Sequence, residues 1–291
     1  MTMFKKAERK QARLRLALAG PSGSGKTYSA LQMAKGLGSK IAVIDTEHGS
    51  ASLYADVAEF DTMELHPPYS PERFIEAIQG AESAGYEVLI IDSYSHEWTG
   101  AGGCLEINDE IAKAKYKGNT WSAWNETTPR HRRLIDKMLT SPLHIICTMR
   151  SKTETVQGEG KKVVKLGLKS EQREGTDYEF TVVLDVSHDG HMAVASKDRT
   201  KLFANPELIT EETGRRLLDW LNYGASARER AEAAIVDLIA NIDQAETLEN
   251  LKSAFGVAWR ELAGEADLQE KAKARYELRK TKLTEQLEQA E

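Results

Sequence analysis

The chain has 291 residues, enough for one large domain and a smaller appendage. Its 39 Lys+Arg stand against 45 Asp+Glu, a formal charge of −6, which excludes a globally basic nucleic-acid coat. The cysteines, Cys104 and Cys147, exclude a disulfide framework and give no zinc ligand set.

In chain order, Met1–Arg15 carries six basic residues against one acid, and residues 1–13 read as a solvated basic arm. An apolar run, Leu14 to Ala19, ends in Gly20-Pro21-Ser22-Gly23-Ser24-Gly25-Lys26-Thr27. Helix formers follow from Tyr28 to Leu37, and a second apolar run, Ile41 to Ile44, closes on Asp45-Thr46-Glu47. A helix is predicted from Pro71 to Ala84, with Ser70 as N-cap and Pro71 at its first position. A third apolar run, Val88 to Ile91, closes on Asp92-Ser93. Leu134, Ile135, Met138 and Leu139 have helical spacing before a fourth run, Leu143 to Thr148, in which Cys147 reads as a small core residue. Strands alternating with helices and ending in acids or hydroxyls predict an α/β fold with a mostly parallel central sheet. Thr148–Arg173 holds seven basic residues against three acids, and the glycines at 158, 160 and 167 point to a mobile loop or hairpin. Phe180–Val186 and Met192–Ser196 flank His188-Asp189-Gly190, an antiparallel hairpin signal. A helix capped by Thr210 runs to Asn222, so the larger α/β domain spans 14–224 and Tyr223-Gly224-Ala225-Ser226 marks a boundary. Three apolar stripes beyond it predict an all-helical domain over 225–291. No secretory leader and no apolar run of about 18 residues is evident, so a soluble, cytoplasmic protein with no membrane partner is expected.

The junction of first strand and first helix carries the chemistry. Gly20, Gly23 and Gly25 let successive backbone N–H groups turn inward on phosphate oxygens, with Pro21, Ser22 and Ser24 completing the loop. Lys26 reaches the β- and γ-phosphates, and the Thr27 hydroxyl is a Mg²⁺ ligand. ATP and Mg²⁺ are the expected cofactors. Asp92 is the expected second carboxylate of the metal, acting through water. Glu47, ending the strand after the loop helix, is placed to activate the attacking water.

Ile44-Asp45-Thr46-Glu47-His48, with the spacing onward to Tyr54-Ala55, resembles the RecA recombinase segment that carries the catalytic glutamate. The resemblance implies that Tyr54 stacks on adenine, although Ala51 stands where RecA has an acid. Ile90-Ile91-Asp92-Ser93 is similar to the RecA Walker B strand. Ile145-Ile146-Cys147-Thr148-Met149-Arg150 resembles the strand leading to the second DNA-binding loop, with Thr148 where RecA has its γ-phosphate-sensing glutamine. That implies a single-stranded DNA contact over 150–170. Lys197-Asp198-Arg199 resembles the K-x-R pair of RecA-like and KaiC-like ATPases, which implies that Lys197 and Arg199 act in trans within a homo-oligomer. Spacing and the Asp92-to-Trp98 run look closest to the phage RecA-like ATPases of the Sak family, associated with recombination and single-strand annealing. A helicase-loader-like ATPase or a KaiC-like regulatory module remains the alternative. The C-terminal helices are a candidate contact for a single-strand-binding protein. Trp121 and Trp124, preceded by Lys113, Lys115 and Lys117, form either a base-stacking surface or buried packing.

Overall fold

The computed structural model of the chain describes residues 7, 9–157 and 163–288. Residues 1–6 and 8 of the basic arm, and 158–162 within the candidate DNA segment, lie outside the described residues.

The chain folds into two compact units, Arg13–Leu221 and a second one built on Asn222–Glu291 with the N-terminal segment through Ala12. The larger unit begins with strand β1 (Arg15–Gly20) and helix α1 (Lys26–Leu37). Next come β2 (Ile41–Asp45), a short 3-10 turn (Ser50–Tyr54), β3 (Asp61–Glu64), α2 (Pro71–Ser83) and β4 (Val88–Asp92). Three helices follow, α3 (Ser95–Thr99), α4 (Cys104–Lys115) and α5 (Thr120–Thr140). The rest of the sheet is β5 (His144–Gln157), β6 (Val163–Ser170), β7 (Val182–Val186), β8 (Met192–Asp198) and β9 (Glu207–Leu208), before α6 (Glu211–Asn222).

The strand order is β3-β2-β4-β5-β1-β7-β8-β9, with β6 hydrogen-bonded to β5 off this path. From β3 to β7 every pairing is parallel. The β5–β6 and β7–β8 pairs are antiparallel. The parallel strands therefore all run toward one edge of the sheet, where β1 opens into the glycine-rich loop.

Because side chains alternate across a strand, each central strand feeds two cores. Leu16 and Leu18 of β1, Val43 of β2 and Ile90 of β4 pack with Leu31 and Leu217 on one face. Ala17 and Ala19, Ile44, Ile91 and Cys147 pack with Phe74 and Leu134 on the other. A buried leucine or isoleucine in such a layer contributes roughly 1.5–3 kcal/mol. Cys147 is buried as expected. On the first face α1 meets α6 at closest range through glycine on both sides. A Cβ at Gly36 would strike the Glu211 carbonyl, and one at Gly214 the Met33 carbonyl.

Two local readings change. Ser70 does stand at the N-cap of α2, but its side chain makes no capping hydrogen bond, so Pro71, with its fixed φ, is what suits this start. β3 gives no strand signal in the sequence, since all four of its residues are exposed on an edge and show no apolar alternation.

The smaller unit contains α7 (Ala227–Asp243), α8 (Leu248–Glu261) and α9 (Ala266–Glu288). Leu238, Ile242, Leu251, Leu262, Leu268 and Leu283 form its core. Ser226 and Glu229 close a full capping box at the start of α7. Lys10 of the N-terminal segment bridges to Ala225 in parallel fashion. No helix among the described residues is long and apolar enough to cross a membrane.

Candidate nucleotide site

The glycine-rich loop turns through Gly23 and Gly25 at φ of 76° and 87°, a left-handed backbone that suits glycine. Helix α1 starts at Lys26, so its free N–H groups and positive dipole end face the loop. The Lys26 ammonium donates to the Pro21 carbonyl at 2.8 Å, which keeps it within the ring of the loop. Burial lowers its pKa, against the opposing pull of Asp92 and Glu47. Ser24 is buried and its hydroxyl finds no hydrogen-bond partner among the described residues.

The register of the sheet gathers the remaining groups. Asp45 pairs with Asp92 across β2 and β4, and Ile91 pairs with Cys147 across β4 and β5, so Asp92 and Thr148 stand on neighbouring strands at the same edge. Thr27 donates to one Asp92 oxygen at 2.6 Å, and Thr148 donates to the other. Burial pushes the Asp92 carboxyl up in pKa, opposed by those two hydroxyls. Two hydroxyls around one buried carboxylate form an oxygen-only donor set, the kind a Mg²⁺–phosphate group requires. The residues expected to hold Mg²⁺, Thr27 and Asp92, thus fit it by contact.

Glu47 follows β2. Its chain is set by Asp45, whose carboxylate accepts from the Glu47 amide at 2.6 Å and from the Ala51 amide at 2.9 Å. The Glu47 carboxylate is gripped at both oxygens by Arg150, at 3.0 and 2.6 Å. Burial raises its pKa, but the Arg150 hydrogen bonds and charge outweigh that, and the net direction is down. Behind it, the Thr46 hydroxyl meets the Ser93 amide at 2.7 Å and His96 Nδ1 at 2.6 Å, tying the end of β2 to the turn after β4.

Tyr54 lies beside Tyr28, ring centroids 6.4 Å apart and nearly edge-on. The two tyrosines line a cavity of about 400 Å³ with Gly23, Gly25, His191 and Ile209. A flat ring entering there meets aromatic walls next to the loop. Lys197 and Arg199 do not join this site within one chain. Lys197 pairs with Val183, which pairs with Ala17, three residues before Gly20 on β1. Their cationic ends reach the Tyr178 carbonyl, at 2.7 Å for Lys197 and 3.4 Å for Arg199.

Several contributors carry no clear mark in the sequence. Arg150 reads there only as a polar strand end, although a cation at the same edge as Glu47 is a usable signal. His191, in the β7–β8 turn, contacts the Ser24 carbonyl at 3.0 Å through Nδ1, a contact made only by the fold. As a separate group, Glu97, Cys104 and His131 gather as three buried ligand-type side chains, a cluster that the cysteine count alone does not suggest. They contact one another, with Cys104 Sγ to Glu97 at 3.0 Å and His131 Nδ1 to Glu97 at 2.9 Å.

Residues 12–220 match a protein family described as an AAA domain. No curated protein matches the chain. The family match covers the whole sheet, the loop with Lys26 and Thr27, and Asp92 at the end of β4, and its type of fold is the P-loop nucleotide-hydrolysing one. The chain belongs to the AAA domain family.

Proposed function

We propose that the protein is a RecA-type, Mg²⁺-dependent ATPase that assembles from several copies and acts on single-stranded DNA in phage homologous recombination or annealing, in the manner of the Sak family. The observation that carries this reading is the bidentate Glu47–Arg150 pair. Arg150 stands two residues past Thr148 on β5, the strand that continues into the basic segment at 150–170. The base proposed for water is therefore held by the root of the segment proposed to meet DNA, which couples one to the other.

In this reading the loop amides and Lys26 hold the ATP phosphates. Thr27 and Asp92 hold Mg²⁺, which supplies charge neutralisation on the phosphate oxygens. Thr148, sharing Asp92 with Thr27, transmits the γ-phosphate state along β5. Tyr54 and Tyr28 flank the adenine. Glu47, once Arg150 turns away, accepts the proton of the attacking water. Lys197 and Arg199, remote in register from their own loop, serve the site of the next copy. The C-terminal helical unit is assigned to contact with a single-strand-binding protein.

The test is ATP turnover with and without single-stranded DNA, beside a sedimentation measurement with ATP. DNA stimulation together with ATP-dependent assembly is expected. A rate indifferent to DNA, with no ATP-dependent shift of a DNA oligomer, removes the recombinase reading and leaves a protein-binding ATPase.

A further inference from the structure

Helix α5 presents Trp121, Trp124, Thr128 and Arg132 at spacings of three and four residues, hence along one face. Trp124 stacks on Trp98 of α3, with centroids 5.3 Å apart and planes at 17°. Over this pair lies the Arg173 guanidinium, 5.9 Å from the Trp98 ring and 5.6 Å from the Trp124 ring, and pinned by the Thr128 hydroxyl at 3.2 Å. Trp121, on the same face, is 85% exposed. Together with Arg132 and Glu174 these side chains border a groove of about 620 Å³.

We infer that this groove is a stacking site for unpaired bases of single-stranded DNA, separate from the segment at 150–170. The inference rests on the single-stranded DNA reading above and gives it a specific second surface. Three features select the ligand. An exposed indole offers a flat apolar face that any base covers, and stacking on aromatics is the sequence-tolerant way to hold a single strand. Arg132 and Arg173 supply two cations at the rim for phosphates, against one acid, Glu174, whose carboxylate can accept from exocyclic base amines. The volume suits one or two flat rings but the rim is open, as a polymer passing through requires.

Through the residues just before Arg173 the groove is linked to the strand whose Arg150 grips the proposed base, Glu47. Gln172, next to Arg173, donates to the Tyr94 carbonyl at 3.2 Å, and the Glu171 amide donates to the Arg150 carbonyl at 2.7 Å. A displacement of Arg173 by an entering base is thus carried through two residues to the backbone of Arg150, the partner of Glu47.

The experiment compares full-length wild type, Trp121→Ala, Trp121→Phe and Arg132→Ala for binding an oligothymidylate of about 30 nucleotides, several times a stacking site's span. Thermal unfolding of each serves as the folding control. Trp121→Ala should weaken binding about 5- to 100-fold, the loss of one stacked base. Trp121→Phe should recover most of it. Arg132→Ala should lower the salt dependence of binding by about one counterion. Wild-type DNA affinity retained by a folded Trp121→Ala protein overturns the groove and leaves the single-stranded DNA reading standing. If wild type itself binds no oligothymidylate with or without ATP, that reading falls and the groove with it. Loss of self-association with unchanged DNA affinity in Trp121→Ala would make the groove a contact between copies and also overturn the proposal.

Discussion

At the scale of single residues, the site is controlled by what each carboxylate is bonded to. Asp92 is buried and shared by two hydroxyls, which suits the metal-holding role proposed for it. Glu47 is only half-buried and answers to Arg150. Glu47→Gln keeps shape and loses the basic oxygen, so nucleotide affinity should persist while turnover falls about 10²- to 10⁴-fold, as read by ligand binding beside a phosphate-release assay. Arg150→Ala tests the pKa argument. Removing the cation leaves burial as the main influence on Glu47, so its pKa must rise and the acid limb of the pH–rate profile must move to higher pH. An unmoved limb would show that Glu47 does not set it.

At the scale of elements, two helix contacts can be tested. Helices α1 and α6 approach so closely that a methyl group at Gly214 has no room. Gly214→Ala should lower stability by about 1–3 kcal/mol, seen as a lower denaturant midpoint, even though alanine has the better helix propensity. Helices α2 and α5 are clamped by Glu72 and Arg130, whose two hydrogen bonds are 2.8 and 2.7 Å long. The Arg130 hydrogen bonds hold the Glu72 carboxyl at about 2, down from 4.5. A folded pKa below the unfolded one stabilises at pH above the unfolded value and ceases to do so as pH falls through the folded value. Glu72→Gln should therefore cost under about 1 kcal/mol at neutral pH, since the pair is partly exposed and screened. The gap to wild type should close between pH 4.5 and about 2 in unfolding curves.

At the scale of the whole molecule, the sheet places Lys197 and Arg199 several register positions from their own loop. If they complete a neighbour's site, Lys26→Ala and Arg199→Ala proteins, each inactive alone, should regain part of the turnover when mixed. No recovery under conditions where the two co-assemble counts against a trans role. The same scale separates what short stretches dictate from what they leave open. The strand–loop–helix of Leu14 to Leu37 is legible directly because its turn needs glycines, its helix start needs free amides, and both needs are local.

The residues alone dictate the local chemistry: a phosphate-binding loop at 20–27, apolar strands ending in Asp45 and Asp92, and helical stripes after 226. Those follow from backbone conformation and side-chain period, which act over short stretches. Which edges meet is settled by the folded arrangement. Insertion of β5 between β1 and β4 puts Thr148 on Asp92 and Arg150 on Glu47, across 56 and 103 residues of chain. The exposed edge strand β3, the His191 contact with the loop and the Trp98–Trp124–Arg173 stack likewise arise from packing between distant segments. Such contacts depend on strand order and on shape, and neither leaves a periodic trace in the residues that make them.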